Sequence, residues 1–463
     1  MRNTMFNVLH PAPAVFAPRV GMFVLPGRKP VHTPHYLSLT SRGAVPHLTQ
    51  DVMRDYTSID SLYIALEDFI EKAPDDVPPL YKMQAEAHES TLRKFTCLPE
   101  DILLVMGPRR VPPVFTPMPN TGTAISILTS VGFRKLEAED YIEAVRKVRP
   151  DIVVGLADLV VGLQSGIKRR EKMVDRTHAY TRDATKQLYG DVGEPESESS
   201  AVYFAPVLPL ENTQQMLYLD DLGDELREHI SGLAVYEASS LAIVPDKIGC
   251  LPRLTLSGPK TPHEILREIS LGADLITIPF VGMASDGGIA LDFIFAPPLE
   301  DGSSASKPLG IDMWSPIYAA DLSPLVQGCE CYTCTKHHRA YIQHLLSAKE
   351  MLAWTLLQIH NHHTIDCFFA AVRDSIEAGT FTEGFLAFEQ TYQPSLPQQT
   401  GQGPRRRGYH AQASGPGEPK LNSSSYDQLD DAAEKYAEAQ SFVPTPDVSA
   451  EELQISGFAV KDT

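Results

Sequence analysis

The stretch LPRLTLSGPKTPHEILREISLGADLITIPFV (251–281) predicts a strand, a helix and a second strand in direct succession. Its outer runs, 251–258 and 274–281, are apolar on both faces, while TPHEILREISLG (261–272) between them has helical spacing. A strand that is apolar on both faces must be covered on both sides, which is typical of a parallel sheet with helical crossovers. This unit therefore predicts an α/β fold.

The same alternation extends over much of the chain. Further strand-like runs are DIVVGLADLVV (151–161), VYFAPVLPL (202–210), LAIV (241–244) and IALDFIFA (289–296), and helical spacing recurs at 137–149 and 222–230. Over roughly 300 residues this alternation favours a (β/α)8 barrel, with a doubly wound open sheet as the alternative.

Composition limits the class of protein. The chain has 463 residues, 43% of them hydrophobic, which is enough for a sizeable core. It contains no apolar run of about 18 residues and no secretory signal at its N-terminus, so we expect a cytoplasmic protein. With 40 Lys and Arg against 59 Asp and Glu, the net charge of −19 argues against a general polyanion binder but leaves room for a local basic groove.

The predicted domain organisation is simple. Residues 1–393 hold the barrel, and within them 323–365 form a small subdomain. Residues 394–463 are rich in Gly, Pro and Ser and lack a sustained apolar period, which predicts a disordered tail. Residues 186–200 have the composition of a surface loop.

The strongest local signal is a cysteine cluster within six residues, formed by Cys329, Cys331 and Cys334. Three thiolates at this spacing need one more donor to complete a tetrahedral zinc site, which without an open position would be structural. A single helix from Lys336 would carry His360 roughly 36 Å away, but a second helix beginning at Ser347, with Glu350 completing a capping box, would return it. The candidate fourth ligands are His337, His338, His344, His360, His362 and His363.

These residues resemble the tRNA-guanine transglycosylase family. CECYTC (329–334), HRAYIQHLL (338–346) and IHN (359–361) stand in the family's order, with His360 26 positions after Cys334. PVHTPHYLSLTSRG (30–43), PDIVVGLAD (150–158) and SGPKTPHEILREISLGADL (257–275) are similar to further family segments. The resemblance covers about residues 15–370 and implies a (β/α)8 barrel with a zinc subdomain. The implied ligands of one structural Zn²⁺ are Cys329, Cys331, Cys334 and His360.

The departures from the family pattern concern catalysis. The family's nucleophilic aspartate falls on Thr277, a poor nucleophile without an adjacent base. Asp274 is no substitute, because its side chain should point to the opposite face of the strand. The family's P-T-R becomes VGM (281–283), and Leu210 and Glu211 replace its Gly-Gly pair.

Base recognition is altered as well. The base-reading aspartate aligns with Ala157 or, after a shift of one residue, with Asp158, and the D-S-G-G-F-Q loop is missing. We therefore predict no catalytic residue.

Two segments, TSRGAVPHLT (40–49) and GIKRREKMVDRT (166–177), are most similar to the non-catalytic eukaryotic members of the family. The resemblance implies an accessory subunit of the complex that exchanges guanine for queuine at the wobble position of tRNAs with GUN anticodons. Its partners would be the catalytic subunit, in a heterodimer, and tRNA, with a homodimer in isolation as an option. A peripheral association with the mitochondrial outer membrane is also implied.

Two other functions stay open. One is an active transglycosylase that uses unrecognised acids such as Asp158 or Asp292, and the other is a barrel hydrolase that zinc merely stabilises. Three basic patches are candidates for RNA or partner contact, namely 168–186 with seven Lys and Arg against three acids, TKHHR (335–339), and PRRRG (404–408) in the predicted tail.

Overall fold

The computed structural model describes residues 5–11, 17–70, 79–84, 86, 89–129, 132–162, 165–190, 201–297 and 306–404. Most of the predicted tail, 405–463, and most of the predicted loop, 191–200, lie outside the described residues. The same holds for the arginines of the PRRRG patch.

Fifteen strands are described, and eight of them form a closed parallel barrel in the order β10–β11–β12–β13–β4–β5–β6–β9. The barrel strands are β4 (His35–Leu39), β5 (Ser61–Ala65), β6 (Leu103–Gly107), β9 (Ile152–Val154), β10 (Val202–Val207), β11 (Ile230–Val235), β12 (Arg253–Thr255) and β13 (Leu275–Thr277). Three antiparallel units surround it, consisting of β1 (Phe6–His10), β2 (Val20–Phe23) and β3 (Val31–Thr33), of β7 (Ala124–Thr129) and β8 (Gly132–Glu137), and of β14 (Ile289–Leu291) and β15 (Gly310–Asp312).

Helices cover the barrel and form the C-terminal part of the described chain. They are α1 (Gln50–Tyr56), α2 (Pro79–Lys82), α3 (Thr91–Thr96), α4 (Ala138–Val148), α5 (Ile167–Tyr189), α6 (Asn212–Gly223), α7 (Pro262–Ser270), α8 (Pro279–Asp286), α9 (Tyr332–Lys336), α10 (Arg339–Ser347), α11 (Met351–Glu377) and α12 (Phe381–Thr391).

The core has two layers because every barrel strand is buried on both faces. Leu37, Val105, Phe204 and Leu254 belong to the packed interior layer. The second layer lies between the strands and the surrounding helices, where Ile265 of α7 is fully buried. Interior packing of this kind means that the barrel is a filled core and not a pore, so ligand chemistry belongs to its ends.

The predicted barrel is confirmed, and so is the strand–helix–strand unit predicted at 251–281. It corresponds to β12, α7 and β13. Gly272 makes the turn from α7 into β13 with φ of 90°, a conformation that glycine adopts without strain. The helix predicted at 137–149 is also present, as α4.

Three local predictions were wrong. LAIV (241–244) lies mostly in a 3-10 helix, Ala238–Ile243, because a short apolar run does not distinguish a buried turn from a strand. The helix predicted at 222–230 is displaced, since α6 ends at Gly223 and the chain enters β11 at Ile230. IALDFIFA (289–296) contributes β14, which pairs with β15 outside the barrel. The apolar runs that form β5 and β6 were not predicted, although their composition is typical of buried strands.

The first eleven residues of the predicted tail, 394–404, are described and contact the rest of the fold. A side chain at Gly401 would come within 2.0 Å of the Trp314 ring, so the chain is packed closely there. Lys349 Nζ donates to Gln402 Oε1 at 3.2 Å. Leu396 packs against the main core. The domain boundaries at 393 and 394 and at 323 and 365 stay predictions.

Candidate metal centre and barrel mouth

Three thiols and one imidazole converge in the C-terminal part of the described chain. The Sγ atoms of Cys329, Cys331 and Cys334 lie 3.6, 3.5 and 3.4 Å from His360 Nδ1, and all four donor atoms lie within 4.8 Å of one another. With zinc–sulfur and zinc–nitrogen bonds of about 2.3 and 2.0 Å, a sulfur and a nitrogen on one tetrahedral ion stand about 3.5 Å apart. The Cys3His group is therefore positioned to bind a metal ion.

Local structure places the cysteines. Cys331 caps the single turn of α9, and its Sγ accepts the backbone N–H of Cys334 at 3.3 Å. This turn brings two of the thiols onto one side of the loop. Thr333 is buried between them, and its hydroxyl donates to Leu356 O on α11 at 2.7 Å, which fixes α9 against that helix.

The return of His360 depends on the break between α10 and α11. The predicted position of the break is confirmed, but the predicted capping box is wrong. Ser347 is the last residue of α10, and Glu350 precedes α11 without a side-chain capping bond. The chain reverses at Lys349, which has φ of 57°. A residue in the left-handed conformation is a common way for an α-helix to end.

A hydrogen bond on the side away from the thiols fixes the imidazole of His360. Leu291 O lies 2.9 Å from Nε2, and this bond places the proton on Nε2 and leaves the Nδ1 lone pair facing the thiols. The neighbouring Asn361 ties α11 to β14, since its Oδ1 accepts Leu291 N at 2.8 Å and its Nδ2 donates to Ile289 O at 3.0 Å. The orientation of the ligand is thus set by the fold.

The other candidate histidines have different places. His338 caps α10 through Nδ1, which accepts Tyr341 N at 3.2 Å, and His337 stacks on the Tyr341 ring. His344 is exposed on α10, and His362 is buried beside Gln358. Within the described ranges, the group of four donors contains His360 and none of these histidines.

The C-terminal ends of the barrel strands, where this fold carries its active sites, hold a dense ionic network centred on Asp158. The two Asp158 oxygens each accept one bond of 2.6 Å from the Arg169 guanidinium. Arg176 Nη1 donates at 3.1 Å and Asn120 Nδ2 at 2.7 Å. Burial acts to raise the pKa of Asp158, but the hydrogen bonds from Arg169 and Asn120 outweigh it and the pKa is lowered.

Neighbouring strand ends continue this network. Arg109 is buried and donates to Asn120 Oδ1 at 3.2 Å and to Ser126 O at 2.9 Å. Burial raises the pKa of Glu67 to about 6, although its carboxylate accepts the backbone N–H of Arg110 at 2.8 Å. Arg110 also pairs with Asp68. The carboxylates of Asp158, Glu67 and Asp68 therefore already have partners from this chain, and none of the three is free to bind substrate.

The residues at the family's catalytic positions occupy unreactive surroundings. Thr277 is fully buried, and its hydroxyl donates to Thr255 O at 3.0 Å. Asp274 accepts Arg19 Nη2 at 2.6 Å and lies before β13, at the opposite end of the barrel from the mouth. Asp292 follows β14, away from the barrel strands.

Several of the other residues that differ from the family pattern accept hydrogen bonds through their backbone carbonyls or are buried. Leu210 O accepts Gln215 Nε2 at 3.0 Å, and Glu211 precedes α6. Val281 is buried in α8, whereas Met283 is exposed. Ala157 is fully buried, and its carbonyl accepts Arg109 Nη1 at 3.3 Å.

Sequence reasoning missed the arginine network because it counted Arg169 and Arg176 as part of a basic patch. The two residues are seven apart, which puts them on one face of α5, and this spacing was the available signal. Arg182 pairs with Glu225 at 3.0 Å, while Lys168 and Lys172 are exposed. Their exposed amino groups are available to an external partner.

The second basic patch is also partly used internally. In 335–339, Arg339 pairs with Asp321 at 3.1 Å and donates to Leu325 O at 2.8 Å. Lys336 is exposed.

The fold and the Cys3His group together define a class of protein, the (β/α)8 barrels in which a Cys3His group positioned to bind a metal ion follows the barrel strands. Residues 16–394 match the family model of queuine tRNA-ribosyltransferase, and the chain belongs to this family.

Its relatives include a protein from Schizosaccharomyces pombe named queuine tRNA-ribosyltransferase accessory subunit 2, which is 36% identical over 82% of this chain and 83% of that protein. Proteins of the same name from Xenopus tropicalis and Drosophila mojavensis are 27% and 28% identical. These matches cover 76% and 77% of this chain and 91% and 86% of those proteins.

Among the helices of the described ranges, none combines the length and the apolar character that crossing a membrane requires.

Proposed function

We propose that this chain is the non-catalytic subunit of a queuine tRNA-ribosyltransferase, and that it supports a catalytic partner that exchanges guanine for queuine in tRNAs with GUN anticodons. The names of the relatives support an accessory role. In this proposal the partners are the catalytic subunit, in a heterodimer, and tRNA. We also propose a cytoplasmic location, and the peripheral association with the outer mitochondrial membrane stays an expectation.

The observation that carries the proposal is the state of the barrel mouth. A base-exchanging barrel needs a free carboxylate to attack the ribose and free acceptors to hold the base. Here Thr277 occupies the nucleophile position, and the Asp158 carboxylate is bound by Arg169, Arg176 and Asn120. An active enzyme that uses Asp158 would have to break two ion pairs before substrate could bind.

We propose that the Cys3His group holds one Zn²⁺ with a structural role. Cys329, Cys331, Cys334 and His360 are soft donors that suit zinc, and four protein ligands leave no position for a reacting water. The ion would supply folding energy to the subdomain. The residues themselves orient the site, through the Cys334 N–H on Cys331 and the Leu291 carbonyl behind His360.

The direct test is incorporation of labelled guanine or queuine into tRNA by the isolated chain, by the catalytic subunit and by their mixture. We expect no exchange by the isolated chain, and turnover by the mixture. Thr277→Ala in the complex should leave turnover nearly unchanged, because the hydroxyl is committed to Thr255 O. A drop of about tenfold or more in that variant, with assembly intact, would support the active-enzyme alternative.

The catalytic partner should dock on the loop that precedes the three cysteines. Ile317 and Leu322, on the loop before the cysteines, are 75% and 74% exposed, and the partly exposed Tyr56 ring contacts the Tyr332 ring at 4.3 Å between centroids. Two large apolar side chains with this much exposure within six residues of the chain are typical of an interaction surface. Ile317 and Leu322 have no evident role in folding, so their substitution should act mainly on association with the catalytic subunit.

Leu322→Asp should therefore weaken association with the catalytic subunit by roughly 2 kcal/mol, measured by light scattering and by calorimetry of the mixture. Leu217→Asp is the matched control, because Leu217 is 85% exposed on α6 of the barrel. Equal weakening by both variants, or none by Leu322→Asp, would place the partner on another face.

A further inference from the structure

A second pair of soft donors continues along α11 beyond the metal-binding group. Cys367 Sγ lies 3.6 Å from His363 Nε2, since the two residues are four apart on one helix face. This separation equals the 3.4–3.6 Å between the thiols and the imidazole of the Cys3His group. A thiolate and an imidazole at this distance can bind one tetrahedral ion together.

The pair is connected to the first group. His363 lies three residues after His360 on α11, so the two imidazoles are neighbours on one helix face, and His360 Nδ1 lies 3.6 Å from Cys329 Sγ. Cys329 is only half-buried, whereas Cys331, Cys334 and His360 are 4%, 8% and 0% exposed. Cys329 is therefore the side of the buried group that solvent reaches.

Solvent exposure increases outward along these donors. His360 is fully buried, Cys329 and His363 are half-buried, and Cys367 is exposed. Metal ions exchange between protein ligands most readily when a second donor is in place before the first is released, because the ion is never left without ligands. A buried four-ligand group offers no such donor of its own, but His363 and Cys367 supply one at its outer edge.

We propose that His363 and Cys367 form a second, weaker site for a soft divalent cation such as Zn²⁺ or Cd²⁺, and that this site passes the ion to and from Cys329. The proposal rests on the proposed metal in the Cys3His group. Binding requires the Cys367 thiol to lose its proton to solvent, and no electron transfer is involved. The competing explanation is a plain hydrogen bond from the thiol to the imidazole.

Two measurements test the site in the full chain. Titration with Cd²⁺, followed by the thiolate absorbance and by metal analysis, should give two equivalents for the wild type and one for Cys367→Ser and His363→Gln. Release of bound Zn²⁺ to a chromogenic chelator should be slower in these variants by about tenfold, with the tight equivalent retained. Cys250→Ser removes an exposed thiol elsewhere and should behave as the wild type.

The deciding variant is Cys367→Ser, because the residue is exposed and outside the four-donor group, so folding should be preserved. A wild type that binds a single equivalent, or a Cys367→Ser chain that still binds two or releases zinc at the wild-type rate, would overturn the second site alone. A wild type that binds no metal would overturn the proposed zinc in the Cys3His group as well. The two failures are therefore distinguishable.

Discussion

Cys334→Ser should reduce the metal content of the purified chain from about one equivalent towards zero and lower the free energy of unfolding by roughly 4 kcal/mol or more. The expected loss is large because the apolar cluster around the cysteines is small, with Leu325, Ile342 and Leu346 among its members. Without the ion, the Cys331 thiol and the hydroxyl introduced at position 334 become buried polar groups with few alternative partners. Metal analysis and denaturant unfolding measure both effects.

Substitution of the histidines decides the fourth ligand. His360→Gln should lose the metal, whereas His344→Gln should retain it, because His344 is exposed on α10. Cys97→Ser, at an exposed thiol far along the chain, controls for the loss of any cysteine. Full metal content and unchanged stability in Cys334→Ser, or loss of metal in the His344 variant alone, would show that the proposed ligand set is wrong.

Asp158→Asn should destabilise the chain by about 2–4 kcal/mol, because the fully buried carboxylate loses its charge-assisted bonds to Arg169 and Arg176. The two guanidinium groups would lose their carboxylate but keep some contact with solvent, since their side chains are 29% and 28% exposed. The double variant Asp158→Asn with Arg169→Gln should be less destabilised than the sum of the single variants, since both act on one interaction. Chemical denaturation of the four proteins gives the coupling energy.

The pH dependence of this effect has a definite sign. Since the pKa of Asp158 is lowered in the folded chain, its stabilising contribution is present above the ordinary carboxyl pKa of about 3.9 and is lost as the pH falls. The difference between the wild type and Asp158→Asn should thus be full at neutral pH and narrow in acid. Equal stability at neutral pH would mean that the network contributes little.

Asp158→Asn also tests whether the role of Asp158 is structural or catalytic. If Asp158 only holds the mouth together, turnover per assembled complex should stay close to that of the wild type under conditions where the variant is folded. A loss of turnover of about tenfold in a complex of normal size would instead assign Asp158 to the chemistry.

The amino-acid sequence by itself favoured the barrel and identified the three cysteines of the Cys3His group, but it left six histidines as candidates for the fourth donor. Alternating runs such as 251–258, 261–272 and 274–281 carry their own periodicity, and a strand that is apolar on both faces requires cover on both sides. Three cysteines within six residues similarly restrict the chemistry without any knowledge of the fold. Both signals involve residues that are close together in the sequence, so they can be recognised without the structure.

Only the tertiary structure decided the state of the barrel mouth. Asp158 and Asn120 are 38 residues apart, yet they share a hydrogen bond of 2.7 Å, and Arg169 and Arg176 turn inward to the same carboxylate. The placement of β14 outside the barrel likewise followed from its pairing with β15. Such partners are chosen by packing between distant segments, and neither composition nor spacing records which carboxylate a given arginine will meet.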